Sequence, residues 1–349
     1  MKHMRTVGLL ALLIFACIFP IVFSNAAVTT MAVFTLLFAA AATGWNLFSG
    51  YTGYFSLGYA TFYGLGAYTL ALLCKYWHIP GGYMPFALLP LGGLVAAIFA
   101  VPLGWIALRV RRHTFVVVTI AMMFTFQLLA YNLKSITSGS TGMLLPFVTW
   151  SPDFFNVPFY YVALAILLLA FATSWWVRNS KYGLGLLAIR DDEDRVAGLG
   201  VKTGAYKLAA FVIAAFFAGM VGGMVVYFTG AIAPPVAFDP TFDVSVALMC
   251  IMGGVGTLIG PLVGALLLEP LQQYIILQAG SIGAGLDLFI FGALLLVVIL
   301  FLPEGIIPSL RRLWHKLKAE RTTTASVTRP EVRESSSALD ALLGRQSEK

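Results

Sequence analysis

Charged side chains are scarce in this sequence: Asp, Glu, Lys and Arg make up 11% of its 349 residues, where a soluble domain carries about 25%. Apolar residues reach 60%, more than a soluble core could cover, so a water-soluble fold is excluded and the solvent is lipid. Cysteine is equally sparse. Cys17, Cys74 and Cys250 all fall inside apolar runs, where unpaired, unreactive thiols usually lie, and they suggest neither a disulfide nor a metal site. The four histidines, His3, His78, His113 and His315, are scattered near the ends of apolar runs without metal-ligand spacing. No Gly-Lys dipeptide occurs, so the phosphate-cradling loop of an ATPase is missing, and neither a Gly-x-Ser-x-Gly elbow nor a His-Glu-x-x-His pair is found. No catalytic residue, cofactor or metal is expected.

What the sequence has in quantity is apolar runs of about 20 residues, the length that crosses a hydrocarbon core of about 30 Å. The predicted fold is all-α and polytopic, with about ten transmembrane helices at 7–23, 26–48, 53–74, 84–108, 114–131, 158–177, 205–229, 244–259, 261–277 and 286–302. With the amino terminus in the cytoplasm, the inside segments 1–6, 49–52, 109–113, 178–204 with the adjoining Lys207, 260 and 303–349 hold 20 of the 22 Lys and Arg. Only Lys75 and Lys134 are left outside, the asymmetry that the positive-inside tendency demands. Both termini are then cytoplasmic, and the pI of 9.3 reflects that asymmetry rather than affinity for nucleic acid. An eight-helix arrangement, with 253–277 re-entrant and one further merger, fits the same hydropathy. Residues 1–26 admit a second reading as a signal peptide, with Lys2, Arg5, an apolar stretch and then Ser24-Asn25-Ala26. The organisation expected is a membrane domain over 1–310, carrying a cytoplasmic loop at 178–204, and a basic, then disordered, tail over 311–349.

Glycine is clustered. One cluster runs Gly50-Tyr51-Thr52-Gly53-Tyr54-Phe55-Ser56-Leu57-Gly58 and on to Gly64-Leu65-Gly66; the other runs Gly253-Gly254-Val255-Gly256-Thr257-Leu258-Ile259-Gly260-Pro261 and on to Gly264. Such residues either let helix backbones pack closely or break helices so that peptide groups face a polar solute. On the second reading Gly53, Ser56, Gly58, Gly64, Gly66, Gly253, Gly254, Gly256, Thr257 and Gly260 flank a pathway. Both clusters start at expected cytoplasmic ends of outward-running spans, a hint of a parallel internal repeat. Ionisable groups are nearly absent from the spans, which argues against coupling to an ion gradient. The main exception is Glu269, followed by Pro270: either proline interrupts the helix and Glu269 is a pathway charge, or the helix ends early and Glu269 lies at the outer interface.

Within the inside loop, 181–198 carries seven charges on a chain with very few. Apolar residues recur there at helical spacing beside Ala188, Ile189, Arg190, Asp191, Asp192 and Glu193, and Gly198 and Gly200 supply a stop. The pattern predicts a short surface helix that docks on a partner. Leu186, Leu187 and Ile189 would seat against protein while Arg190, Asp191, Asp192 and Glu193 set the orientation.

These residues together resemble a family: the LivM-type permeases of branched-chain amino acid ABC importers, within the wider group of sugar, amide and urea permeases. The resemblance covers nearly all of 30–310. It rests on the 50–68 stretch, on Thr137-Ser138-Gly139-Ser140-Thr141-Gly142, and on Ala188-Ile189-Arg190-Asp191-Asp192-Glu193 with Gly200-Val201. It continues through Lys207-Leu208-Ala209-Ala210-Phe211, Ala218-Gly219 with Gly222-Gly223, 253–261 and Leu302-Pro303-Glu304-Gly305. Tyr59 departs from the His or other polar residue common in similar proteins. The resemblance implies a multi-pass protein of the inner membrane that pairs with a homologous second permease to form the pathway. Two cytoplasmic ATPases would drive it, and an external solute-binding protein would deliver the solute, a branched-chain amino acid or else a urea or amide. A stand-alone secondary transporter of a small polar solute is the alternative.

Overall fold

The computed structural model describes residues 14–20, 22–23, 25–148, 150–279, 292, 305–310 and 312. Contacts divide the chain into the units Met1–Ile306 and Ile307–Lys349. The architecture that follows is that of the first; in the second, residues 307–310 are helical.

Helix α1 (Ala26–Trp45) starts on the Asn25 side chain, which accepts from the Ala27 amide, and widens into a π-helical turn at Asn46–Gly50. After an unwound stretch come α2 (Ala60–Tyr76), α3 (Met84–Ala107), α4 (Arg112–Asn132) and α5 (Pro152–Asn179). Two short helices, α6 (Lys181–Asp191) and α7 (Glu193–Gly198), lead into α8 (Thr203–Thr229), and α9 (Pro240–Gly253) and α10 (Gly260–Ala279) follow. Among the described residues, six segments are long and apolar enough to cross a membrane: Ala26–Gly50, Met84–Ala107, Arg112–Asn132, Phe154–Asn179, Thr203–Thr229 and Pro234–Gly253. The chain is a multi-pass membrane protein. The spans expected at 26–48, 84–108, 114–131, 158–177 and 205–229 all lie within helices. That expected at 286–302 lies outside the described residues except 292, as does the tail 311–349 except Arg312; of the span at 7–23, residues 14–20 are helical.

Three expectations need correction. The span at 53–74 is helical only from Ala60, because the residues before it are held by side chains and not by helical hydrogen bonds. The span at 244–259 ends at Gly253, where Gly254 takes φ 114° and the chain turns. Pro270 does not interrupt its helix: α10 runs through it, packed along α9 and α1, and this packing offsets the one backbone bond that a proline removes.

Helix α8 is apolar all round, the pattern of a fully buried helix, and it is the centre of the fold, packed along α3 and α2 and touching α1. The approach is close enough that a Cβ on Gly66 would overlap the Gly219 backbone, a small-residue contact typical of membrane helices. By contrast α3 and α4 keep broad apolar faces exposed, Leu94, Ile98, Trp105, Val117 and Leu128 among them, as lipid-facing helices do. At one end of the bundle β1 (Met143–Leu144) pairs antiparallel with β2 (Ala231–Ile232), Met143 opposite Ile232. Near it the Tyr227 hydroxyl donates to the Gly82 carbonyl at 2.7 Å. The basic segments 109–113 and 178–204 gather at the other end with the uncharged 49–52 and 254–260, and this is called here the basic end.

Candidate functional site

The two glycine clusters, some 200 residues apart in sequence, meet at the basic end. The buried Asn46 amide of the π turn joins them: its Nδ2 donates to the Thr257 carbonyl at 2.9 Å and its Oδ1 accepts from the Gly256 amide at 2.8 Å. Two arginines close the junction. Arg190 Nη1 donates to the Gly50 carbonyl at 2.8 Å, and Arg178 Nη1 donates to the Gly256 carbonyl. The π turn leaves its last carbonyl without a helical partner, and a guanidinium, always charged and rich in donors, satisfies it. Gly256 is required here on two counts: its φ is +78°, and a Cβ would collide with Arg190 Nη1. Arg112, at the start of α4, donates to the Ile189 and Arg190 carbonyls at 3.1 and 2.7 Å and so caps α6.

From this junction, after a last helical turn through Thr52, residues 53–59 climb unwound into the bundle. Their neighbours give the depth: Thr119 is seven residues into α4, Ala214 eleven into α8, and Asp243 ten before the end of α9. At 1.5 Å per residue these lie about 10–16 Å from the basic end, near the middle of a hydrocarbon core. Peptide groups at that depth need partners inside the protein, and here side chains provide them. The Tyr54 amide donates to Thr52 Oγ1, the Ser56 amide to Ser49 Oγ and the Leu57 amide to Thr119 Oγ1, while Trp45 Nε1 donates to the Ser56 carbonyl. At the deep end the Ala60 amide, first in α2, donates to the buried Asp243 Oδ1 at 2.7 Å, so that a side-chain oxygen from another helix takes one of the free amides at the helix start. At the shallow end the Tyr54 hydroxyl donates to Glu193 Oε2 at 2.7 Å. The Lys207 ammonium pairs with Glu193 Oε1 and lies 4.3 Å above the Tyr54 ring. Burial works against the charge on Glu193, but the hydrogen bonds from Lys207 and Tyr54 and the ammonium charge outweigh it and hold the carboxyl below its ordinary range.

The 178–204 segment holds two helices and not one. It breaks at Asp192, whose side chain caps α7 by accepting from the Arg195 amide at 3.1 Å. Leu186 and Ile189 are buried, and Ala188 and Leu187 partly so, against the protein's own helices. Arg190 and Glu193, expected to face a partner, instead point inward to Gly50 and to Lys207, because each finds a backbone or side-chain partner that a half-buried charge needs. The outward surface comprises Leu184, Asp191, Asp194, Arg195, Leu199 and Gly200.

The remaining expected pathway residues divide by what they touch. A Cβ on Gly58 would strike the Thr119 carbonyl, one on Gly64 the Phe238 ring and one on Gly253 the Gly260 carbonyl, so these are close-packing positions. Gly53, with φ +74°, lies under the Arg190 side chain. Thr257 accepts from the Gly260 amide at 3.0 Å and donates to the Gly254 carbonyl at 2.7 Å, starting α10. Buried Ser56 Oγ has no hydrogen-bond partner among the described residues, and buried Glu269 has one, Gln273 Nε2 at 2.9 Å. Among the described residues no group of three or more His, Cys, Asp or Glu could hold a metal ion, and the three cysteines are free thiols. Sequence reasoning missed Asn46, Tyr54, Arg178, Lys207 and Asp243 as site residues. Asp243 reads as an ordinary first-turn acid of α9, and only its tertiary contact reveals the cap.

Residues 27–299 match the family described as branched-chain amino acid transport system, permease component. The high-affinity branched-chain amino acid transport system permease protein LivM of Salmonella typhimurium is 28% identical over 329 residues, covering 87% of this chain and 75% of that protein. LivM of Escherichia coli (strain K12) is 27% identical with the same coverage. The high-affinity branched-chain amino acid transport system permease protein LivH of Salmonella typhimurium is 24% identical over 284 residues, 77% of this chain and 91% of that protein. No solved structure matches this chain.

Proposed function

Since the chain belongs to the family of branched-chain amino acid transport system permease components, we propose that it is one of two permease subunits of an ATP-driven importer for branched-chain amino acids. The observation that carries the reading is the match of 27–299, which spans nearly the whole membrane domain, with both LivM and LivH among the relatives. A homologous second permease completes the pathway, two cytoplasmic ATPases supply the energy, and a solute-binding protein delivers the amino acid from outside. The protein resides in the cytoplasmic inner membrane with its basic end and both termini inside, ten spans in all. The domain over 1–310 carries a coupling loop at 178–204.

In this reading the ATPase docks on the outward surface of α6 and α7, where Leu184 and Leu199 offer apolar anchors among Asp191, Asp194 and Arg195. Gly53, Gly256 and Ser56 border the pathway, and Glu269 is its charge. No ATP site of the phosphate-loop type exists in the sequence, so the lone chain has no such source of energy. The test is reconstitution. Proteoliposomes holding both permeases and the ATPases should accumulate leucine only with ATP inside and binding protein outside. Accumulation by this chain alone under a proton or sodium gradient would overturn the reading in favour of a secondary transporter.

A further inference from the structure

Residues 53–59 run unwound at membrane depth, and both ends of the stretch are held by buried side chains: Tyr54 by the Lys207–Glu193 ion pair, Ala60 by the Asp243 carboxyl. Helix α8 grips the stretch twice. Lys207 Nζ donates to the Tyr54 hydroxyl at 3.1 Å, and two turns further along, the Ala214 carbonyl accepts from the Tyr59 hydroxyl at 3.0 Å. Positions 207 and 214 are seven apart and therefore share one face of a helix. Beneath Tyr54 the rings of Phe115, Phe48 and Phe211 form a close set, with centroids 5.0–6.2 Å apart. This stretch can thus tilt with α8 without unfolding a helix, since its amides are bonded to Thr52, Ser49 and Thr119 side chains; it meets the 178–204 segment at Glu193, through the Tyr54 hydroxyl, and at Arg190, which lies over Gly53.

Resting on the transport reading above, we infer that the unwound segment 53–59 is the moving gate of the permease, and that Tyr54, Lys207 and Glu193 are positioning residues that transmit displacement of the cytoplasmic helices to it. Displacement of α7 pulls Glu193, which carries Tyr54 directly and α8 through Lys207. Helix α8 in turn carries Tyr59 through the Ala214 carbonyl. Asp243 is the fixed pivot at the deep end: it belongs to α9, and among the described residues no ion pair joins α9 to α6 or α7 as Lys207–Glu193 joins α8 to α7.

The test uses the assembled complex of both permeases, the ATPases and the binding protein in proteoliposomes. Uptake and ATP hydrolysis are measured together, alongside hydrogen exchange of the amides of 51–60 with and without nucleotide. Wild type should show nucleotide-dependent exchange in that segment. Tyr54→Phe and Glu193→Gln should retain the ATPases yet lower amino acids moved per ATP by about tenfold, the worth of one hydrogen bond to a charged group, with the nucleotide response of 51–60 lost. The reversed pair, Glu193→Lys with Lys207→Glu, should regain part of the uptake that either single change loses. An unchanged ratio and an unchanged exchange response in Tyr54→Phe would overturn the gate assignment while leaving the importer reading intact. A wild-type complex that neither recruits an ATPase nor takes up amino acid would instead refute the importer reading. Variants that fail to assemble are replaced by Tyr59→Phe, which removes the second grip alone and should lower the ratio in the same direction; no effect there would count against the inference.

Discussion

The two glycine clusters have similar composition, yet different contacts dominate in each. In the second, backbone meets backbone: a Cβ on Gly253 would overlap the Gly260 carbonyl and one on Gly264 the Met249 carbonyl, so α9 and α10 form a tight hairpin with no room to slide. In the first, Gly58 also abuts a backbone carbonyl, that of Thr119, but the amides of the 53–60 stretch and the Tyr54 hydroxyl meet hydroxyls, carboxyl groups and an ammonium. Contacts of the first kind are steric and admit one geometry. Those of the second kind are polar and can be exchanged, which is why the mobile element is assigned to 53–59 and the rigid frame to the α9–α10 contacts at Gly253 and Gly264.

The comparison breaks if a bulky residue is accepted in the frame. Gly264→Leu should cost more than about 4 kcal/mol, because the neighbour is backbone and cannot rotate away; recovery of folded, detergent-stable protein with an unchanged melting temperature would contradict it. Next in size is Lys207→Met, which strands the partly buried Glu193 carboxylate and should cost about 3 kcal/mol in thermal or denaturant unfolding. The same pair imposes a pH dependence. Because the folded Glu193 pKa lies below its ordinary value of 4.5, its contribution is complete above that value and is lost as pH falls through the folded pKa. Acid unfolding of the Lys207→Met protein should lack this component.

Gly256→Ala sharpens the comparison, since it adds strain at φ +78° and crowds Arg190. A loss of about 2 kcal/mol is expected, measured by unfolding, together with a fall in uptake greater than the fall in folded protein. The smallest effect belongs to the outward face. Arg111 and Asp194 are 3.9 Å apart and each more than 80% exposed, so Asp194→Ala should change stability by less than about 0.5 kcal/mol. Its effect should appear only in co-purification of the ATPase.

Much of the membrane architecture was legible because hydropathy and loop charge are local properties. The spans at 26–48, 84–108, 114–131, 158–177 and 205–229 and the gathering of the basic loops follow from the cost of placing charge or unbonded peptide in hydrocarbon. The glycine clusters and the charged loop were visible for the same reason, as departures from an apolar background. Periodicity, however, reads 53–59 as the start of a span, since Phe55, Leu57 and Tyr59 are as apolar as a helix requires. Nothing local reveals that Ser49, Thr52, Thr119 and Asp243 will take its amides.

By itself, then, the sequence determined the solvent, the class of fold, the basic end and the segments from which a site could be drawn, all set by the free energy of single residues in lipid or water. Only the tertiary structure decided that Asn46 bridges Gly256 and Thr257, that Arg190 and Glu193 turn inward, and that Lys207 and Asp243 hold the two ends of one unwound stretch. Each of those depends on a partner 14 to more than 200 residues away, and a buried polar group takes its role from whichever partner satisfies it, which no single position along the chain encodes.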